Sequence, residues 1–138
     1  MIVADTGAVV ALLDRDDRHH RSLRAAFERD PDGWVLPWAI LPEVDHIVTS
    51  RLGPEVARAF RTDVASGAFA VEWGGAADLV RALELDERHA DLGLGLVDAV
   101  VMAMAERLDA TAIATLDLRD FAAVPLRGSP ALWPRDLP

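Results

Sequence analysis

The chain alternates between short, wholly apolar runs and longer stretches whose apolar residues recur every three or four positions. Residues 2–4 form such a run, ending at Asp5. The periodic stretch Ala8 to Leu13 follows Thr6-Gly7, so the pattern predicts strand, turn and helix, with Thr6 as N-cap. The polar patch Asp14 to His20 predicts a loop feeding a helix at about 21–29, and Asp30-Pro31-Asp32-Gly33 reads as a turn. A brief strand at 34–36 precedes a helix through 40–50. Leu52-Gly53-Pro54 breaks that helix, and Pro54 opens the next, 55–65. Residues 69–73 alternate as a strand and 76–89 read as helix. Gly93 and Gly95 punctuate before 97–108, a helix so apolar that it must be buried. Residues 112–116 read as an interior strand ending at Asp117, and the proline-rich tail is irregular, with room for one more short strand.

Strands separated by helices imply parallel crossovers, an α/β domain, and a sheet covered on both faces. No internal repeat interrupts the pattern, and a length of 138 residues suits one domain over 1–138. In such sheets the ligand crevice lies beyond the carboxyl ends of the strands. Polar residues at those ends therefore carry information.

Composition narrows the chemistry. The absence of cysteine removes disulfides, thiolate zinc sites and thiol nucleophiles. All 14 basic residues are arginine, and the missing lysine excludes a Walker phosphate loop and Schiff-base catalysis. The amino terminus has no basic leader, and no stretch is long and apolar enough to span a bilayer, so a cytoplasmic protein without a membrane role is expected. A net charge of −9 makes the chain a poor non-specific binder of nucleic acid. Any nucleic-acid substrate must be held by local arginines or by a bound cation.

Most of the 23 acids lie on polar helix faces, where solvation explains them, but four do not. Asp5 and Asp117 directly follow apolar strands, Asp98 stands at the start of the most apolar helix, and Glu43 starts a helix one residue after Pro42. A parallel sheet brings strand carboxyl ends and helix amino ends to the same edge. Carboxylates gathered there suit Mg²⁺ or Mn²⁺, hard cations that prefer oxygen ligands and help activate water against a phosphodiester. Each acid also has a plainer reading: Asp5 and Asp98 as N-caps, Glu43 as a partner of the helix dipole, Asp117 as a turn former. The four together favour a functional cluster.

Four segments resemble the motifs of PIN-domain ribonucleases, in particular the VapC toxins of bacterial toxin–antitoxin pairs. Met1 to Leu13 is similar to their first strand and helix, Pro42-Glu43-Val44 to their second acidic motif, Asp91 to Ala99 to the third, and Thr115 to Phe121 to the fourth. The resemblance implies a three-layer α/β/α fold with a central parallel sheet. It implies an endoribonuclease dependent on Mg²⁺ or Mn²⁺, with Asp5, Glu43, Asp98 and Asp117 as catalytic and metal-binding residues and Asp120 as an additional acid near the metal. It places Thr6 and Thr115 as supporting hydroxyls. It also implies an RNA substrate, a homodimer, and a cognate antitoxin that inserts an arginine among the carboxylates. Gly7 stands where serine is common in the family, and Gly93 where proline is frequent.

Other residues invite chemistry less strongly. His19 and His20 sit in a charged loop, which favours a solvated role. His46 points away from the centre of its helix's inner face, whereas Glu43 borders that face and Asp45, the second choice, borders its opposite side. The four tryptophans can stack on bases, although packing is their commoner use. Two rival functions stay in view: a non-catalytic binding module of the same fold, and a phosphotransfer domain, which the missing lysine disfavours.

Overall fold

A computed structural model describes residues 1–138. Five strands, β1 (Ile2–Ala4), β2 (Trp34–Pro37), β3 (Ala70–Glu72), β4 (Ala112–Ala114) and β5 (Ala131–Trp133), form one sheet in the order β3-β2-β1-β4-β5. Every neighbouring pair is parallel. Seven helices accompany them: α1 (Thr6–Leu13), α2 (His20–Arg29), α3 (Leu41–Leu52), α4 (Pro54–Ser66), α5 (Ala76–Arg88), α6 (Gly95–Arg107) and α7 (Leu118–Ala123).

Successive strand side chains point to opposite faces, yet every residue of β1, β2 and β4 is buried. Both faces of the sheet are therefore covered, which gives the expected α/β/α layering. The edge strands β3 and β5 are only partly buried, as their positions require. Helix α6 is buried continuously from Ala99 to Glu106 and packs on α5 and the central strands. Helix α1, buried from Ala8 to Leu12, packs between α2 and α3. No helix is long and apolar enough to cross a membrane.

The chain builds outward from β1 to β2 and β3, then returns through α5 and α6 to lay β4 on the other side of β1. The strand order reverses between β1 and β4, so the switch-point crevice opens at their carboxyl ends. Three sequence expectations shift. Asp5, not Thr6, is the N-cap of α1, its side chain accepting from the Thr6 N–H. Helix α6 starts at Gly95, which puts Asp98 at its fourth position, and no side chain caps that helix. Helix α7 was not anticipated: its six residues are too few to show periodicity, and Asp117 begins it by accepting from the Asp120 N–H. The short strand allowed for in the tail is β5.

At the far end of α6 the fold is tied by charge. The Glu106 side chain, 0% exposed, accepts from Arg81 Nε at 2.7 Å and Arg127 Nη2 at 3.1 Å. Burial is the largest single influence on its carboxyl and would raise the pKa. The hydrogen bonds from Arg81 and Arg127 outweigh it and hold the group down at about 2. Nearby, Arg107 bonds Asp78 at 2.7 Å and Glu72 at 3.1 Å. Replacing Glu106 by leucine leaves Arg81, whose side chain is 19% exposed, without its buried partner. We expect a loss of about 2–4 kcal/mol, read by urea unfolding at pH 7. The wild-type advantage should vanish as pH falls from about 4.5 towards 2, because a depressed carboxyl pKa stabilises only while the group is ionised. An unchanged unfolding midpoint for Glu106→Leu at pH 7 would mean that the arginines do not depend on this carboxylate.

Candidate active site

Asp5 leaves β1 with its backbone N–H bonded to the Ala114 carbonyl at 2.8 Å, so the β1–β4 ladder sets its position. Its Oδ1 accepts from the Thr6 N–H at 2.7 Å and its Oδ2 from the Thr115 hydroxyl at 2.9 Å. The Thr115 oxygen in turn accepts from the Asp117 N–H at 3.1 Å, and Asp117 Oδ1 accepts from the Asp120 N–H at 3.2 Å. One hydrogen-bonded relay thus joins Asp5, Thr115, Asp117 and Asp120, and Thr115 is wholly buried at its centre. The Thr115 hydroxyl thus bridges two of the acids. Thr6 lines the acidic cavity, and its buried Oγ1 makes no hydrogen bond within the protein.

Asp98 reaches the same place from the first turn of α6. One carboxylate oxygen from each of Asp98, Asp117 and Asp120 lies within 4.8 Å of the others. A cavity of about 530 Å³ opens at this edge, and Asp5, Glu43, Asp98 and Asp117 all line it. Membership differs between the two groupings. Asp120 belongs to the tight trio but does not line the cavity; its buried Oδ1 makes no hydrogen bond and lies 3.9 Å from Arg119 Nε. Asp5 and Glu43 face the cavity but stand outside the trio. Asp98 and Asp117 belong to both.

Crowding and burial penalise ionisation here. Asp98 is pushed up to about 7, chiefly by burial and then by the charges of Asp5, Asp117, Asp120 and Glu43. Asp5 rises to about 6, again chiefly through burial, with the Thr6 and Thr115 hydrogen bonds opposing and the charges of Glu43 and Asp117 adding. Asp98 does not cap its helix; its place in the first turn of α6 lets the helix dipole favour its negative charge, against the penalty from the neighbouring acids.

The remaining candidates separate cleanly. Asp45 is turned away from the cluster and pairs with Arg61 at 2.6 Å beside a different, mainly apolar cavity. His46 is exposed and does not line the acidic cavity. His19 accepts from Arg18 Nε at 3.1 Å. His20 departs from the solvated role expected of it: its Nδ1 lies 2.8 Å from the Ala11 carbonyl, satisfying an open group at the end of α1. Trp34 is buried against Phe27 and Trp133, Trp38 is partly buried against the core, and Trp73 is 69% exposed. None of the tryptophans lines the acidic cavity. Two lining residues escaped sequence reasoning, Asp17 and Arg51. Asp17 was hidden in a charged loop, where its Oδ1 also accepts from the His19 N–H at 2.8 Å. Arg51 had a signal, because it follows Glu43 by two helical steps of four along α3.

The sheet order also bears on the rival functions. Receiver-type phosphotransfer domains use the order 2-1-3-4-5, which is not the order found here. The sequence pattern of the PIN domain matches residues 2–126. The chain belongs to the PIN-domain family. Among PIN proteins it is similar to the ribonuclease VapC26 of Mycobacterium tuberculosis, at 28% identity over 123 residues, covering 89% of this chain and 91% of that one. Its fold is that of VapC20 from the same organism, a toxin that cleaves the sarcin–ricin loop, with a TM-score of 0.80 at 23% identity over 93% of this chain and 98% of that one. It also matches a DNA-bound VapBC complex from Salmonella typhimurium, with a TM-score of 0.72 at 16% identity over 95% of each chain. Gly7 has room for a side chain: an added Cβ would meet Leu116 Cβ at 3.5 Å, an ordinary contact.

The raised pKa values of this PIN domain fix a sign. A carboxyl raised in the folded state stabilises the fold while protonated, and that contribution is lost as pH rises through about 6 for Asp5 and about 7 for Asp98. Glu106 and Asp136, both lowered to about 2, change only below their ordinary range and leave this window alone. Metal-free protein should melt at a higher temperature at pH 5 than at pH 8. Asp98→Asn should flatten that slope and raise the melting temperature at pH 8. Equal melting at both pH values would show that the crowding carries no cost.

Proposed function

We propose that the protein is an endoribonuclease of the VapC type, dependent on Mg²⁺ or Mn²⁺, that hydrolyses RNA phosphodiester bonds and is held in check by a cognate antitoxin. The observation that carries this reading is the convergence of Asp5, Glu43, Asp98 and Asp117 on one cavity at the switch point of the sheet. The ribonuclease and toxin activities of the similar VapC proteins support it, and so does the capture of a VapBC pair as a complex. We propose the whole chain as one PIN domain acting as a homodimer in the cytoplasm.

The residues suit a hard divalent cation. The donor set is carboxylate only, without histidine or cysteine, which favours Mg²⁺ or Mn²⁺ over zinc. Asp98 and Asp117 belong to both groupings and would hold the ion, with Asp5, Glu43 and Asp120 as further oxygens. When bound, such an ion polarises a phosphoryl oxygen and offsets the charge that builds up on it. The protein's own groups do the rest. Thr115 orients both Asp5 and Asp117, and the Thr6 N–H fixes the second oxygen of Asp5. The carboxylates gathered around the ion, Glu43 among them, would orient a water for in-line attack on the scissile phosphate.

Purified protein should cut ribosomal, transfer or messenger RNA with Mn²⁺ or Mg²⁺ and stop on addition of EDTA. Asp98→Asn should lower the rate by at least about a hundredfold with the circular dichroism spectrum unchanged. Full activity in that variant would sink the mechanism. Thr115→Val keeps the shape but removes the bridge, and should weaken Mn²⁺ binding by about tenfold to a hundredfold in a calorimetric titration. Unaltered affinity would show that Thr115 serves the fold alone.

A further inference from the structure

Arg51 is the one basic residue lining the acidic cavity. It sits in the last turn of α3, and Glu43, Ile47 and Arg51 follow one another at intervals of four, so a single face of α3 carries all three along the cavity wall. Eight residues of helix place Arg51 about 12 Å along the axis from Glu43. Arg51 forms no ion pair and donates no side-chain hydrogen bond, although five acids line the same cavity. Its guanidinium is exposed at the rim. By contrast Arg61, Arg81, Arg107, Arg127 and Arg135 are each committed to a carboxylate within 3.1 Å.

The cavity walls say what kind of contact is open to a nucleic acid. No tryptophan, phenylalanine or histidine lines the cavity, and its apolar members are Val10, Ile47 and Leu116. Without an aromatic face there is no stacking platform for a base. A strand entering here is therefore held through its phosphates, and a fully acidic wall would repel them. A planar guanidinium with free donors matches a phosphate bidentately.

We infer that Arg51 is the backbone-phosphate anchor of the RNA substrate, holding the strand at a nucleotide away from the scissile bond. This inference rests on the ribonuclease reading and adds a binding residue to it. Because Arg51 stands a full two turns of helix from Glu43, it contributes to holding the strand rather than to the bond-breaking step. The contact is independent of base identity.

The test compares wild type, Arg51→Ala, Arg51→Lys and Arg58→Ala, the last removing one charge from α4, away from the cavity. Steady-state cleavage is measured on whichever of ribosomal, transfer or messenger RNA the wild type cuts. Binding of a short mixed-sequence single-stranded RNA is followed by fluorescence anisotropy across a salt series, with each protein carrying Asp98→Asn to prevent turnover. Arg51→Ala should raise KM about tenfold with kcat within about twofold, and should reduce the slope of log affinity against log salt by about 0.7, the value for one phosphate contact on a single strand. Arg51→Lys should recover most of both, and Arg58→Ala should resemble wild type. Arg51→Ala indistinguishable from Arg58→Ala overturns the anchor, as does a fall in kcat at constant KM. Wild-type protein that cuts none of the three RNA classes overturns the ribonuclease reading itself, a result separate from either of those.

Discussion

Mutual repulsion among carboxylates at the junction of β1 and β4 is the strain the rest of the molecule has to hold. Oxygens of Asp98, Asp117 and Asp120 approach within 4.8 Å, and in water such groups would move apart. Here they are fixed on three pieces of backbone that have little freedom. Asp117 and Asp120 belong to the turn and helix that follow β4, and Asp98 to a helix buried along most of its length. The β1–β4 ladder and the Thr115 hydroxyl then bring Asp5 against the same group. The apolar core and the parallel ladder hold these backbones together, and protonation or a dication can relieve the charge.

Helix α6 shows how environment rather than residue type sets the state of an acid. Asp98 and Glu106 lie eight residues apart on it, about 12 Å along the axis. At one end, burial among other acids pushes Asp98 up to about 7. At the other, Arg81 and Arg127 outweigh the cost of burial and hold Glu106 down at about 2. One end of the helix gathers carboxylates, and the other pairs a carboxylate with arginines. The arginines follow that division: those near the far end of α6 are tied to carboxylates, whereas Arg51 at the cavity has free donors. A chain with a net charge of −9 thereby keeps a local positive group beside its most acidic cleft.

The sequence by itself determined the helices and strands, because short apolar runs and periodic stretches report burial directly. It also determined which acids were unusual: Asp5, Glu43, Asp98 and Asp117 stood at element boundaries, where solvation on a helix face does not explain them, and the four line one cavity. Local pattern did not show helix α7, whose six residues make too short a period, nor which residue caps α1, since Asp5 and Thr6 are both good caps and only the path of the chain out of β1 chooses between them.

Tertiary structure decided everything that depends on pairing distant segments. The order β3-β2-β1-β4-β5 brings residue 5 beside residue 115, and no spacing along the chain contains that contact. It turned Asp45 towards Arg61 and left Glu43 at the cleft, a choice between two neighbours on one helix that rests on where α4 packs. It made His20 a cap for α1, and it joined the Asp120 oxygen to the trio without making it part of the cavity lining. The physical reason is common to all of these. Burial preference is a property of a residue and its near neighbours, so sequence carries it, whereas electrostatic and hydrogen-bond partnership is a property of positions in space, which only the closed fold supplies.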